Sequence, residues 1–211
     1  ITQMDETAFE VGKNLAITPG SVIYQNELIQ LIQYKPKGKS VYENPLLIIP
    51  PWINKYYILD LQPENSFARF MVEKGFTVFM ISWRNPSPAM RNTSFDDYVE
   101  KGVLKSAEVI QSITKGKKIN MFGYCLGGTL LGTALAVMYA RKNVSAQSAT
   151  FLASMLDFSD VGPMGDVIDQ ALVRKLERGE LQKQGVMHGH DMERAFNLIR
   201  ANDLIWNYVV N

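Results

Sequence analysis

The stretch Ile119-Asn120-Met121-Phe122-Gly123-Tyr124-Cys125-Leu126-Gly127-Gly128 decides the reading of this chain. An apolar run ends in Gly-x-Cys-x-Gly, the nucleophile-elbow pattern with the chain's one cysteine where serine is usual. In such an elbow a strand turns sharply into a helix. The central residue takes a strained backbone, and small residues two positions before and after it keep strand and helix apart. Both of those positions, Gly123 and Gly127, are glycine, and Gly128 follows. Beyond Cys125 the residues Leu126, Leu130, Leu131, Ala134, Leu135 and Met138 recur at helical spacing. The thiol is therefore expected at the positive end of a helix dipole, where a thiolate is stabilised. The backbone N–H of Leu126 is expected to supply half of an oxyanion hole. A lone cysteine is often only a small buried hydrophobe; strand, elbow and helix together favour a nucleophile.

Composition narrows the function classes. The 211 residues suffice for one domain with a sizeable core, and 46% apolar with 20% charged residues is ordinary globular usage. A formal charge of +1, with no long basic run, argues against nucleic-acid binding through bulk electrostatics. One cysteine forbids an internal disulfide, and two neighbouring histidines make no zinc-ligand set, so no metal site is expected and a reducing compartment fits. No apolar run reaches the length of a membrane span. The start Ile1-Thr2-Gln3-Met4 has neither an initiator methionine nor a signal peptide, so the chain reads as a piece of something longer.

Working outward from the elbow, residues 21–24 and the alternating 29–34 read as strands that start a sheet in antiparallel fashion. The wholly apolar runs Leu46-Leu47-Ile48-Ile49 and Val78-Phe79-Met80-Ile81, with a helix over 64–74 between them, read as a parallel βαβ unit. Ser94 and Asp97 look like a capping box opening a helix to about residue 114. A strand over 117–122 precedes the elbow, a helix over 126–141 follows it, and 148–152 is one more strand. This order is that of an α/β-hydrolase core with a mostly parallel sheet. Past Leu156 the chain breaks at Gly162-Pro163-Met164-Gly165 before helical stretches over 166–177 and 191–208, the start of a helical cap. The expected division is a core over 1–156, the N-terminal part of the fold, and a partial cap over 157–211, with the C-terminal part of the fold missing.

Three further sites deserve weighing. The loop Pro50-Pro51-Trp52-Ile53-Asn54-Lys55-Tyr56-Tyr57 follows the first parallel strand, where this architecture takes its second oxyanion N–H. Ile53 is the candidate, with Trp52 next; a proline-stiffened turn with packed aromatics is the plainer alternative. Trp83-Arg84-Asn85-Pro86 lies at the carboxyl edge of the next strand, and reads as a packed tryptophan beside a solvated arginine. His188 and His190 lie in a polar turn, and Asp157 and Asp160 come too early for an orienting acid, so none is assigned a catalytic role.

The blocks Pro50-Pro51-Trp52-Ile53-Asn54-Lys55-Tyr56-Tyr57-Ile58-Leu59-Asp60-Leu61, Phe79-Met80-Ile81-Ser82-Trp83-Arg84-Asn85-Pro86, Gly123-Tyr124-Cys125-Leu126-Gly127-Gly128-Thr129, Met155-Leu156-Asp157-Phe158-Ser159-Asp160 and Arg200-Ala201-Asn202-Asp203-Leu204-Ile205-Trp206 resemble those of poly(3-hydroxyalkanoate) synthases, class I type. The resemblance implies an acyltransferase that moves (R)-3-hydroxyacyl groups, typically 3-hydroxybutyryl, from coenzyme A onto a growing polyester. Cys125 matches the family's nucleophile. The family's base, a histidine oriented by an aspartate, lies C-terminal to the cap segment, so no triad Asp or His is assigned here. No cofactor is implied, since coenzyme A enters as part of the substrate. The implied partners are the acyl-CoA, the polyester, a second copy of the chain and granule-associated proteins, at the surface of cytoplasmic granules. Two other readings stand beside this one: a cysteine-dependent α/β-hydrolase that passes the acyl group to water, and a truncated synthase-like module that acts by dimerisation without catalysis.

Overall fold

The computed structural model describes residues 8–53, 55–162, 170–178, 185 and 186. Six strands, β1 (Gly20–Gln25), β2 (Ile29–Tyr34), β3 (Leu46–Ile49), β4 (Val78–Trp83), β5 (Ile119–Tyr124) and β6 (Ala146–Leu152), form one sheet in the order β1-β2-β4-β3-β5-β6. β1 and β2 are antiparallel, as are β2 and β4, while β3 runs parallel to both β4 and β5, and β5 parallel to β6. The hairpin between β1 and β2 is closed by Asn26, whose Oδ1 accepts from the N–H groups of Leu28 and Ile29, both at 2.8 Å. The expected antiparallel start, the parallel unit and the strand before the elbow are all present, with ends shifted by one or two residues.

Helices on both faces explain why the central strands are apolar without alternation. All four residues of β3 are buried. On one face Leu46, Ile48, Val78, Met80 and Phe122 pack with Ala68 and Val72 of α1 (Phe67–Glu73). The other face carries a continuous helical run of α2 (Phe95–Asp97), a π-helical turn (Tyr98–Leu104) and α3 (Lys105–Ile113), together with α4 (Leu126–Ala140). α4 buries Leu130, Leu131, Ala134 and Met138, the stripe expected from sequence. Ser94 and Asp97 do form a capping box: Ser94 Oγ accepts from the Asp97 N–H and Asp97 Oδ2 accepts from the Ser94 N–H at 2.8 Å.

Two helices differ from expectation. The stretch read as one helix over 64–74 is a 3-10 turn (Pro63–Asn65) followed by α1, because Ser66 between them is extended and caps α1 by accepting from the Arg69 N–H at 2.9 Å. The helix after Ser94 widens into a π turn in its middle. Of the two helices expected past residue 162, α5 (Gln170–Arg178) is the described part of the first, and the second lies outside the described residues. By packing, the chain divides into two compact units, one of residues 1–85 with 94–158 and one of 86–93 with 159–211.

Ser66 also belongs to a buried polar hub. Asp60, 2% exposed, accepts at Oδ1 from the Thr18 and Ser66 hydroxyls, each at 2.5 Å, and at Oδ2 from the Tyr34 hydroxyl at 3.3 Å. Burial and the Asp60 carboxyl hold the Tyr34 phenol far above its usual pKa, so it remains a donor. The backbone N–H of Ala16 donates to the Asp60 carbonyl at 3.0 Å, and the hub thereby ties three distant segments together. Truncating Asp60 strands the buried Tyr34 and Ser66 hydroxyls and the half-buried Thr18 hydroxyl, so Asp60→Ala should lower unfolding free energy by about 2–4 kcal/mol in a denaturant titration. A loss below about 1 kcal/mol would contradict the hub.

α4 approaches β3 without a side chain between them. A Cβ on Gly127 would stand 2.1 Å from the Ile49 carbonyl oxygen and 2.8 Å from the Pro50 carbonyl carbon, both backbone atoms. Neither can swing aside. Gly127→Ala should therefore destabilise by about 3 kcal/mol or more, or prevent folding, as read from thermal unfolding. Normal stability of that variant would mean that helix and strand lie further apart.

Candidate active site

Cys125 joins β5 to α4 with φ +53° and ψ −124°, outside the left-handed well and uncommon for any residue with a Cβ. Such a conformation costs on the order of 1–3 kcal/mol and persists only where its surroundings enforce it. Here the Cys125 N–H donates to the Leu152 carbonyl at 2.9 Å, and the Cys125 carbonyl accepts from the N–H groups of Gly128 at 2.9 Å and Thr129 at 3.3 Å. The tight turn leaves no room beside it: a Cβ on Gly123 would lie 2.4 Å from the Gly128 Cα, and one on Gly128 would lie 1.8 Å from Ser154 Oγ. The thiol is exposed at the tip of this turn. Leu126 is the first residue of α4, so its N–H has no acceptor within the helix and is turned to the same end as the thiol.

Sheet register sets what stands beside Cys125. Leu46 pairs with Val78 on one side and Asn120 on the other, so Pro51, Trp83 and Cys125 each lie five residues further along three adjacent strand lines. All three lie at or just past the carboxyl ends of their strands, at one edge of the sheet. The chain leaving β3 is stiffened by two consecutive prolines. The Trp83 indole N–H donates to the Pro50 carbonyl at 2.8 Å. Trp52 packs edge-to-face against Phe95 and at a tilt against Tyr98, with ring centroids 6.0 and 5.4 Å apart, and Ile53 is 39% exposed. Burial pushes the Tyr98 phenol up, so this aromatic group is uncharged.

The expected packed tryptophan and solvated arginine are both present: Trp83 is buried, whereas Arg84 is exposed, its backbone N–H donating to the Leu28 carbonyl and its guanidinium to the Glu27 carbonyl. Asp160 closes a local turn by accepting from the Gly162 N–H at 2.8 Å, and Asp157 is an exposed loop residue. His188 and His190 lie outside the described residues. Among the described residues no cluster of His, Cys, Asp or Glu could hold a metal ion, and no helix is long and apolar enough to cross a membrane.

Sequence reasoning passed over Ser154, whose hydroxyl donates to the Leu152 carbonyl at 3.1 Å and fills the space left by Gly128. It also gave no role to Asp60. The one available signal was an acid inside the apolar run Ile58-Leu59-Asp60-Leu61.

Comparison with known proteins places this geometry. Residues 44–192 match the family described as alpha/beta hydrolase fold, and residues 1–71 match that described as Poly-beta-hydroxybutyrate polymerase (PhaC) N-terminus. The whole chain is 46% identical to the poly(3-hydroxyalkanoate) polymerase subunit PhaC of Cupriavidus necator, covering 36% of that protein. It is 44% identical over its whole length to the poly(3-hydroxyalkanoate) polymerase of Methylorubrum extorquens, covering 35% of it. The chain thus spans about a third of the length of the curated relatives it matches. Among solved structures, a carboxyl esterase from Bacillus coagulans shares the fold with a TM-score of 0.52 at 12% identity, over 77% of this chain and 52% of that one. A sugar hydrolase from Lactococcus lactis does so with 0.50 at 11% identity, over 69% and 57%. The chain belongs to the α/β-hydrolase family, and within it is similar along its whole length to the poly(3-hydroxyalkanoate) polymerases.

Proposed function

We propose that this chain carries the nucleophile and oxyanion hole of a poly(3-hydroxyalkanoate) polymerase of the class that favours short acyl units. The observation that supports this most is whole-chain identity of 40–46% to proteins named as such polymerases. The Cys125 sulfur, as thiolate, attacks the carbonyl carbon of (R)-3-hydroxybutyryl-CoA. The developing oxyanion accepts from the N–H groups of Leu126 and Ile53, and Gly123, Gly127 and Gly128 let strand, helix and loop close around it. The bond to the coenzyme A sulfur breaks, coenzyme A leaves as its thiolate and takes up the proton that the Cys125 thiol gave up, and the acyl group stays on Cys125 as a second thioester. Exchanging one thioester for another changes little free energy, which suits cysteine to the task.

Chain growth then needs a base that takes the proton from a 3-hydroxyl, whose oxygen attacks the acyl-enzyme and frees the thiol. No residue of this chain is assigned that role or that of the orienting acid. Coenzyme A arrives with the substrate, and no separate cofactor or metal takes part. The reading carries with it a homodimer and contact with granule proteins, at the surface of cytoplasmic polyester granules.

Product analysis with (R)-3-hydroxybutyryl-CoA tests the proposal. Insoluble polyester and free coenzyme A are expected, and Cys125→Ala should lower coenzyme A release by about a thousandfold or more. Soluble 3-hydroxybutyrate as the main product would replace polymerisation by hydrolysis. Polymer made by Cys125→Ala would overturn the assigned nucleophile.

A further inference from the structure

Among the described residues, the loop that carries Ile53 has no strand partner between Ile49 and Ile53, so other contacts fix where its N–H groups point. We infer that Trp83 is the positioning residue of the oxyanion loop, acting through the Pro50 carbonyl. This inference rests on the proposed role of Ile53 and adds what holds that residue in place.

Four observations converge on Trp83. Its indole N–H donates to the Pro50 carbonyl at 2.8 Å, and the side chain is only 7% exposed, so this bond is shielded from water. The Pro50 peptide is confined on another side by Gly127, where a Cβ would lie 2.8 Å from the Pro50 carbonyl carbon. The indole is confined on one side by Gly102, where a Cβ would stand 2.5 and 2.6 Å from its ring carbons, and Gly102 lies in the widened π turn of the neighbouring helix. Finally, the Tyr98 ring lies 5.3 Å from Trp83 and 5.4 Å from Trp52, so one aromatic group supports both the anchor and the residue before Ile53.

The chemical consequence follows from the backbone. Pro50 and Pro51 have fixed φ angles, so rotating the Pro50 carbonyl swings Trp52 and Ile53 together. A donor aimed at an oxyanion works only when preorganised, and a displacement of about 1 Å can cost about a hundredfold in rate. Loss of the indole N–H should therefore slow attack on a thioester far more than it affects the thiol itself.

The test compares two reactions of Cys125 in one protein. Acylation by (R)-3-hydroxybutyryl-CoA develops an oxyanion, whereas alkylation by iodoacetamide displaces iodide without one. Trp83→Phe keeps an aromatic ring and removes the donor. Acylation should fall about 10- to 100-fold while alkylation stays within about twofold. A replacement of Trp83 by β-(3-benzothienyl)alanine, with sulfur in place of N–H and nearly the same shape, should do the same if Trp83→Phe packs poorly. Equal loss in both reactions, or no loss in either, overturns the inference.

A readout independent of catalysis accompanies it. Lys55 is exposed in the same loop, and trypsin cleavage after it should quicken about tenfold in either variant. Failure of wild-type acylation with faster cleavage in the variants would overturn the proposed function and keep the anchor. Unchanged cleavage would remove the anchor itself.

Discussion

The strained backbone of Cys125 is what β5, β6 and α4 must jointly hold in place. A residue with a Cβ at φ +53° and ψ −124° is stable only if strand, helix and the neighbouring strand all hold it. The Leu152 carbonyl fixes its N–H, the first turn of α4 fixes its carbonyl, and glycines at 123, 127 and 128 admit the contacts that a single methyl would block. The benefit is geometric. The thiol is exposed at the tip of the turn, next to the start of α4, whose first N–H has no acceptor within the helix.

The loop after β3 complements that elbow, and it is fastened at both ends. At its start, the Pro50 carbonyl accepts from Trp83 and β3 touches α4 at Gly127. At its far end Asp60 gathers hydroxyls from Thr18, Tyr34 and Ser66, and its carbonyl accepts from Ala16. Between these anchors Trp52 packs on Phe95 and Tyr98, while Ile53 is left exposed. Fixed ends with one exposed backbone segment between them are what a site on a loop needs to be accurate. At the opposite side of the elbow, β6 is the last strand among the described residues, and Leu152 at its end is 49% exposed.

The parts of this arrangement that are local in sequence were legible in it. Gly-x-Cys-x-Gly after an apolar run identifies the elbow because the steric demand falls on adjacent residues. Leu46-Leu47-Ile48-Ile49 reads as a central strand because burial on both faces removes alternation. What escaped depends on distant partners. Ser66 breaks a stretch with good helical spacing because its hydroxyl serves both Asp60 and the Arg69 N–H. The π turn at Tyr98–Leu104 lies where Gly102 meets Trp83, a contact no periodicity announces. Asp60 looks like a loop acid until strands bring Thr18 and Tyr34 to it. The fold and the elbow at Cys125 could be read from the chain, whereas the contacts that hold the loop after β3 required the sheet.

The central claim is that this elbow makes Cys125 an acyl acceptor. Intact-mass measurement after incubation with (R)-3-hydroxybutyryl-CoA, with Cys125→Ala beside it, tests that claim most directly. A single hydroxybutyryl adduct on the native protein, mapped to Cys125, and none on the variant is the expected result. An adduct that persists in Cys125→Ala, or a folded native protein that takes up none, would contradict it.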